Sequence, residues 1–187
     1  VLSPKQWITY TRDIIRKYIL LSDKIDVIEG GATRNDTIMN AISHIEKSYG
    51  LDDETIIVTH DSVRPFVTHR ILEDNIRYAK EYGACDTVIP ATDTIVESLD
   101  NKEISNIPDR SKMYQGQTPQ SFHAKRLREV FDELSEGEKT ILTDACKILV
   151  LKGDAIHLVE GEVFNIKFTY PYDLRVAESI LGGNGVC

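Results

Sequence analysis

The sequence predicts an α/β fold: a doubly wound, mainly parallel sheet with one β-arm leaving it. Short β-branched runs alternate with longer segments of helical apolar spacing, and the alternation recurs at the interval of βαβ units, which puts helices on both faces of a parallel sheet. The alternation then breaks between residues 92 and 117, where a hairpin pattern replaces it.

Residues 1–3 read as the end of a strand, with Ser3 as a helix N-cap and Pro4 at the first helical position, so the chain is expected to start mid-domain. Trp7, Ile14, Ile15, Tyr18 and Ile19 follow at helical spacing, which predicts a core-facing helix over 3–20. Residues 25–28 are short, β-branched and ended by Gly30-Gly31, a strand; 36–48 return to helix with Ile38, Ala41, Ile42 and Ile45 on one face. Residues 55–59 read as a buried strand, 60–66 as a loop, 68–82 as a helix with Ile71, Leu72, Ile76 and Ala79 inward, and 84–90 as another strand. In the excursion, 94–99 alternates like a strand, Asp100-Asn101 signals a turn and 103–107 pairs back, giving a β-arm over about 93–117. Helices are expected at 124–134 and 144–150, strands at 156–160 and 165–169, and a closing helix at 171–181. One domain over 1–181 is expected, with 182–187 a flexible tail that has almost nothing to pack.

Composition narrows the function. The 187 residues carry 22 Lys plus Arg against 30 Asp plus Glu, a formal charge of −8, with 41% hydrophobic residues. A net acidic surface argues against broad contact with nucleic acid, whose affinity comes from many basic groups releasing counterions. A small phosphorylated substrate needs only a few converging cations. No run approaches the ~20 apolar residues that cross a bilayer, and no leader pattern opens the chain, so no membrane partner and a cytoplasmic protein are expected. Cys85, Cys146 and Cys187 lack a C-x-x-C pair and read as reduced buried or tail thiols. The histidines show no metal-ligand spacing, no nucleophile sits in a recognisable elbow, and no D-x-D motif of a nucleotide-dependent glycosyltransferase follows a strand.

Ligands of an open parallel sheet bind beyond the carboxyl ends of its strands. Gly30-Gly31 permits positive φ and close backbone approach, as a plain turn does too, and Arg34 and Thr37 add polar groups at a helix start. Asp61, directly after an apolar strand and three residues before Arg64, suits Mg²⁺ held by the acid with a cation facing phosphate; a structural ion pair has the same spacing. Pro108-Asp109-Arg110 and Gln117-Thr118-Pro119-Gln120 read as solvated surface, and Thr143-Asp144 as an N-cap pair. Lys167 falls in an apolar strand, where a lysine must reach solvent or meet an anion.

The ordered series G-G-A-T-R-N-D-T-I, H-D-S-V-R-P-F, D-T-I, P-D-R, Q-T-P-Q-S-F, L-T-D-A-C-K and N-I-K-F-T resembles the cytidylyltransferases that make CDP-polyols, over residues 1–181. The resemblance implies a Rossmann-like fold of the nucleotide-diphospho-sugar transferase type, CTP and a polyol phosphate as substrates, and Mg²⁺. H-D-S-V-R-P-F, Y-Q-G-Q-T-P-Q and L-T-D-A-C-K are most similar to the ribitol-5-phosphate branch, which supplies CDP-ribitol for teichoic acid or capsule. The 2-C-methyl-D-erythritol 4-phosphate branch of isoprenoid synthesis is the alternative. Carried over by motif, the resemblance implies that Gly31, Ala32, Arg34 and Thr37 bind the nucleotide and that Asp61 ligates its magnesium. It gives catalytic roles to Lys167, Arg64 and Arg110, and places Thr94, Arg110, Thr118, Thr143 and Thr169 on the polyol phosphate, with Arg110 supplied by the arm of a neighbouring subunit in a homodimer.

The family's Gly-rich L-A-A-G-x-G-x-R-M loop and its following Lys have no counterpart here. Two βα units of ~30 residues are therefore expected upstream, about 60 residues in all. A non-catalytic nucleotide-binding module is the rival from another class. Glu162 is a candidate second metal ligand. The reaction implied is in-line attack of a polyol-phosphate oxygen on the α-phosphorus of CTP, without a covalent enzyme intermediate.

Overall fold

The computed structural model describes residues 1–20, 22–142 and 144–182. They form an α/β fold divided into two compact units, one of residues 1–57 and 122–155, the other of 58–121 and 156 onward.

In the first unit, β1 (Leu2–Ser3) and β2 (Ile28–Glu29) pair in parallel, Leu2 opposite Ile28. The chain between them makes a 3₁₀ turn at Lys5–Trp7 and then α1 (Ile8–Tyr18). Ser3 is the last residue of β1 rather than a cap, and its hydroxyl meets Thr11 Oγ1 at 3.2 Å. The core-facing expectation for this helix is corrected as well. Ile8, Thr11 and Ile15 form the half-buried side, which leaves Trp7, Ile14 and Tyr18, on the neighbouring stripe, exposed along with Ile19.

Helix α2 (Arg34–Tyr49) starts in a capping box, the Asp36 N–H donating to Thr33 Oγ1 and the Thr33 N–H to Asp36 Oδ2, each at 3.1 Å. It buries Ile38 and Ile42 and packs on α4 (Ala124–Asp132). A short α5 (Glu136–Thr140) follows, unforeseen because it has no apolar period. Then α6 (Cys146–Leu151) buries Ile148 and Leu149 against α4, with Asp144 Oδ1 accepting the Lys147 N–H at 2.9 Å.

The four-stranded sheet has the order β3 (Ile56–Thr59), β5 (Tyr114–His123), β4 (Ala84–Pro90), β6 (His157–Glu160). Strands β4 and β6 run parallel, from Cys85 opposite His157 to Val88 opposite Glu160. Helix α3 (His69–Tyr82), capped by Thr68, packs on both, and α7 (Pro171–Leu181) follows β6. On α3 the inward line is Ile71, Asn75 and Ala79, while the expected Ile76 is exposed. Asn75 is fully buried yet fully used. Its amide donates to the Ile71 carbonyl and to Thr87 Oγ1, both at 2.8 Å, and its oxygen accepts from Ser121 at 3.1 Å.

Three further expectations are corrected. Residues 117–120, read as solvated surface, are buried in β5 between two other strands, because their polar side chains find partners inside the unit. Residues 165–169 form no strand; they are irregular chain tied to another loop. The arm ends where β5 begins, and its legs meet at a single bridge, Glu97 with Asn106, beyond which Asp100 Oδ1 accepts the N–H groups of Lys102 and Glu103. Thr143 and the tail from 183 on lie outside the described residues. Among the described residues no helix is long and apolar enough to cross a membrane.

Candidate active site

Strand β3 delivers His60 and Asp61 at its carboxyl end, in the second unit. The chain turns at once, the Arg64 N–H donating to the Asp61 carbonyl at 3.0 Å. Asp61 Oδ2 then stands 3.1 Å from Lys167 Nζ and 3.8 Å from Arg64 Nε. The two cations differ in freedom: the Arg64 side chain is 11% exposed and the Lys167 side chain 50%. Burial pushes the Arg64 guanidinium's pKa down, with Asp61 and Asp86 opposing the shift. Its Nη1 donates to the Asn165 carbonyl at 2.7 Å, while its buried Nε has no hydrogen-bond acceptor among the described residues.

Lys167 reaches Asp61 because its segment is lashed to the 60–66 loop. The Phe168 N–H donates to the Val63 carbonyl at 2.8 Å, and the Phe168 ring meets Phe66 edge-on at 5.8 Å. Beneath it Asn165, fully buried, donates from Nδ2 to Gln117 Oε1 at 3.2 Å and to the Thr118 carbonyl at 2.9 Å. Thr118, also buried, accepts the Asp61 N–H at 3.1 Å and lies 3.0 Å from His60 Nδ1; His60 Nε2 lies 2.8 Å from the Arg64 carbonyl. His60, Gln117 and Asn165 were not foreseen as parts of this cluster. Only the adjacency of His60 to Asp61 in H-D-S-V-R-P could have pointed to one of them.

The remaining expected residues stand apart from this network of bonds. Arg110 lies in the 3₁₀ turn Arg110–Lys112 at the arm's base, donating to the Thr92 carbonyl at 3.0 Å. Thr94 is exposed. Thr169 is exposed too, its N–H held by Asp173 Oδ2 at 2.7 Å where α7 begins. In the first unit, Gly31, Ala32 and Thr37 line a cleft of about 420 Å³ with Pro4 and Lys5, and Arg34 opens α2 beside it. Positive φ is not what Gly31 supplies, since the glycines with that conformation are Gly50, Gly83 and Gly153 among the described residues. A Cβ on Gly31 would stand 2.4 Å from Asp36 Cβ, so close approach to α2 itself requires the glycine. Thr37 Oγ1 accepts the Gly31 N–H and donates to the Thr33 carbonyl, both at 2.8 Å.

Glu162 is bound to Arg70 at 2.7 Å rather than turned to Asp61. Among the described residues no three His, Cys, Asp or Glu side chains gather as a metal cage. Mg²⁺ commonly takes only one or two protein carboxylates and completes its shell with phosphates and water, a donor set that Asp61 fits; the half-exposed Lys167 is the partner able to move aside.

The sequence model of the IspD family, 2-C-methyl-D-erythritol 4-phosphate cytidylyltransferase, matches residues 7–183. This chain belongs to the IspD family. Its enzyme class is therefore that of a nucleotidyltransferase, specifically a cytidylyltransferase. A Francisella tularensis 2-C-methyl-D-erythritol 4-phosphate cytidylyltransferase is 28% identical, the match covering 84% of this chain and 72% of that one, with a TM-score of 0.75. The Thermus thermophilus enzyme of the same name is 28% identical over 82% and 71% of the two chains, TM-score 0.68. In fold the chain is also similar to the 4-diphosphocytidyl-2C-methyl-D-erythritol synthase of Anaerococcus prevotii, at 24% identity over 97% and 77% of the chains and a TM-score of 0.78. These relatives are methylerythritol enzymes, whereas the loop motifs had put the ribitol branch of the IspD family first.

Proposed function

We propose that this chain transfers CMP from CTP to 2-C-methyl-D-erythritol 4-phosphate, releasing pyrophosphate. The observation that carries the reading is the cluster after β3, a carboxylate with Lys167 at 3.1 Å and Arg64 at 3.8 Å. Attack by the acceptor's phosphate oxygen forms its bond to the α-phosphorus as the bond to the leaving pyrophosphate breaks. A phosphate oxygen is already a nucleophile at neutral pH, so no general base is needed. What remains is alignment of two anions and neutralisation of charge.

Lys167, half exposed on a long side chain, neutralises charge on the reacting phosphates; Arg64, buried and anchored to the Asn165 carbonyl, holds the nearer oxygens. Asp61 holds Mg²⁺, which when bound neutralises the triphosphate. Gly31, Ala32, Arg34 and Thr37 take the nucleotide. Arg110, Thr94 and Thr169 take the acceptor phosphate, Arg110 from the arm of a second copy. Exposed Val96, Leu99, Ile104 and Ile107 on the arm suit such a homodimer. The cytoplasm is the proposed compartment.

Ribitol 5-phosphate is the second reading, favoured by the likeness of the H-D-S-V-R-P-F, Y-Q-G-Q-T-P-Q and L-T-D-A-C-K motifs to that branch. Pyrophosphate release from CTP and Mg²⁺ with each acceptor separates the two. We expect kcat/KM at least about tenfold higher with the methylerythritol phosphate, a gap of ~1.4 kcal/mol in transition-state binding. The reverse preference selects ribitol, and turnover with neither returns the chain to a nucleotide-binding module.

A further inference from the structure

We infer that His60 is a positioning residue for cytidylyl transfer, one that fixes the turn carrying Asp61 and Arg64 and makes Thr118 part of that support instead of a substrate contact. This role rests on the transferase reading above. His60 Nε2 lies 2.8 Å from the Arg64 carbonyl oxygen, and Nδ1 lies 3.0 Å from Thr118 Oγ1. A carbonyl oxygen only accepts, so Nε2 carries the ring proton. In the neutral imidazole Nδ1 is then bare and must accept, and the Thr118 hydroxyl is its donor. The same hydroxyl oxygen accepts the Asp61 N–H at 3.1 Å.

A threonine hydroxyl has one proton. With that proton directed to the ring, Thr118 has none to give a phosphate oxygen, and its side chain is buried in β5 besides. Two connections therefore leave one ring. Nε2–H holds the main chain of Arg64, while Nδ1, through Thr118, holds the main chain of Asp61. The turn between them is closed by the Arg64 N–H on the Asp61 carbonyl. Both charged residues are set by His60, which is itself exposed, so its removal opens no cavity in the core.

The test has two arms on the purified protein. In the first, histidine is ¹⁵N-labelled and two-bond proton–nitrogen correlations read the tautomer, with His60 assigned by the signal missing from H60N. The Nε2–H form is expected, and the Nδ1–H form overturns the arrangement. In the second, H60A lowers kcat by about 10- to 100-fold while the KM values for CTP and acceptor move less than about threefold, the pattern of misplaced groups and not of lost contacts. H60N, whose amide oxygen stands near the place of Nδ1, recovers part of that loss. T118V shows a loss in kcat similar to that of H60A, and the double variant is no worse than either, because both break one chain of bonds. A T118V enzyme with unchanged kcat and a raised acceptor KM makes Thr118 a substrate contact and overturns the proposal. Wild-type protein that turns over neither acceptor counts against the transferase reading alone, and the tautomer still decides the His60 arrangement.

Discussion

Asp61 holds two cations on different terms, and the difference assigns them different work. Arg64 is buried and anchored to the Asn165 carbonyl, so it can shape a ground-state binding surface; Lys167 rides half exposed on a flexible stem and can follow charge as it moves during the reaction. Removing a preorganised charge that acts chiefly in the transition state costs about 10²- to 10³-fold in kcat. K167A is therefore expected to lose about 100-fold in kcat with the KM for CTP changed less than about threefold, measured by varying CTP at saturating acceptor. A kcat within about threefold of wild type removes Lys167 from the chemistry. Asp61, Arg64 and Lys167 were legible in the sequence because a charge among apolar residues demands a partner, although Lys167 lies outside any strand and not in the one expected for it. The burial of Gln117, Thr118 and Asn165 was not: an uncharged polar side chain demands no partner of its own, and only the fold shows that these are buried with one another.

The elements that matched their expected spans are those whose ends carry chemistry of their own. Strand β4 was read to the residue, ending at Pro90, and α7 opens on Pro171 with Asp173 Oδ2 accepting the N–H groups of Thr169 and Tyr170 at 2.7 Å. Strand β5 escaped because its run is polar and holds Pro119, two features that argue against an interior strand. Helix α5 escaped for want of apolar period, although Ser135 and Glu138 spell a capping box. That box gives a pH prediction. The Ser135 N–H, then Lys152 and the Ser135 hydroxyl, draw the Glu138 carboxyl from 4.5 down to about 2. A folded value below the unfolded one means stabilisation that is present above pH 4.5 and lost as pH falls toward 2. E138Q keeps a weaker, uncharged acceptor. It should unfold at lower denaturant than wild type at pH 7, with the two midpoints converging as pH falls through that window. Curves that stay parallel would show that the Glu138 charge adds nothing to folding.

At the scale of the whole molecule, an enzyme for two anionic substrates carries a net charge of −8, and this opposition has a kinetic consequence. The alternation of strands and helices was enough to foretell an α/β fold, because period-two and helical patterns are set by backbone geometry and survive any choice of surface charge. Charge placement is a separate matter. On the reading proposed above, Lys167 and Arg64 meet phosphate oxygens at contact range, whereas the chain's net charge of −8 acts over longer distances. Salt screens the distant charges first, since the Debye length is about 10 Å at 0.1 M ionic strength. Raising ionic strength thus relieves the general repulsion of CTP before it weakens the local cations. At constant free Mg²⁺, kcat/KM for CTP is expected to rise or to stay within about threefold from 0.01 to 0.15 M salt, in contrast to the steep decline of an electrostatically steered encounter. Initial rates at limiting CTP across that range decide the matter. A fall of about tenfold would mean that a positive field extends well beyond the Asp61 cluster, and that the acidic surface lies away from the path by which CTP arrives.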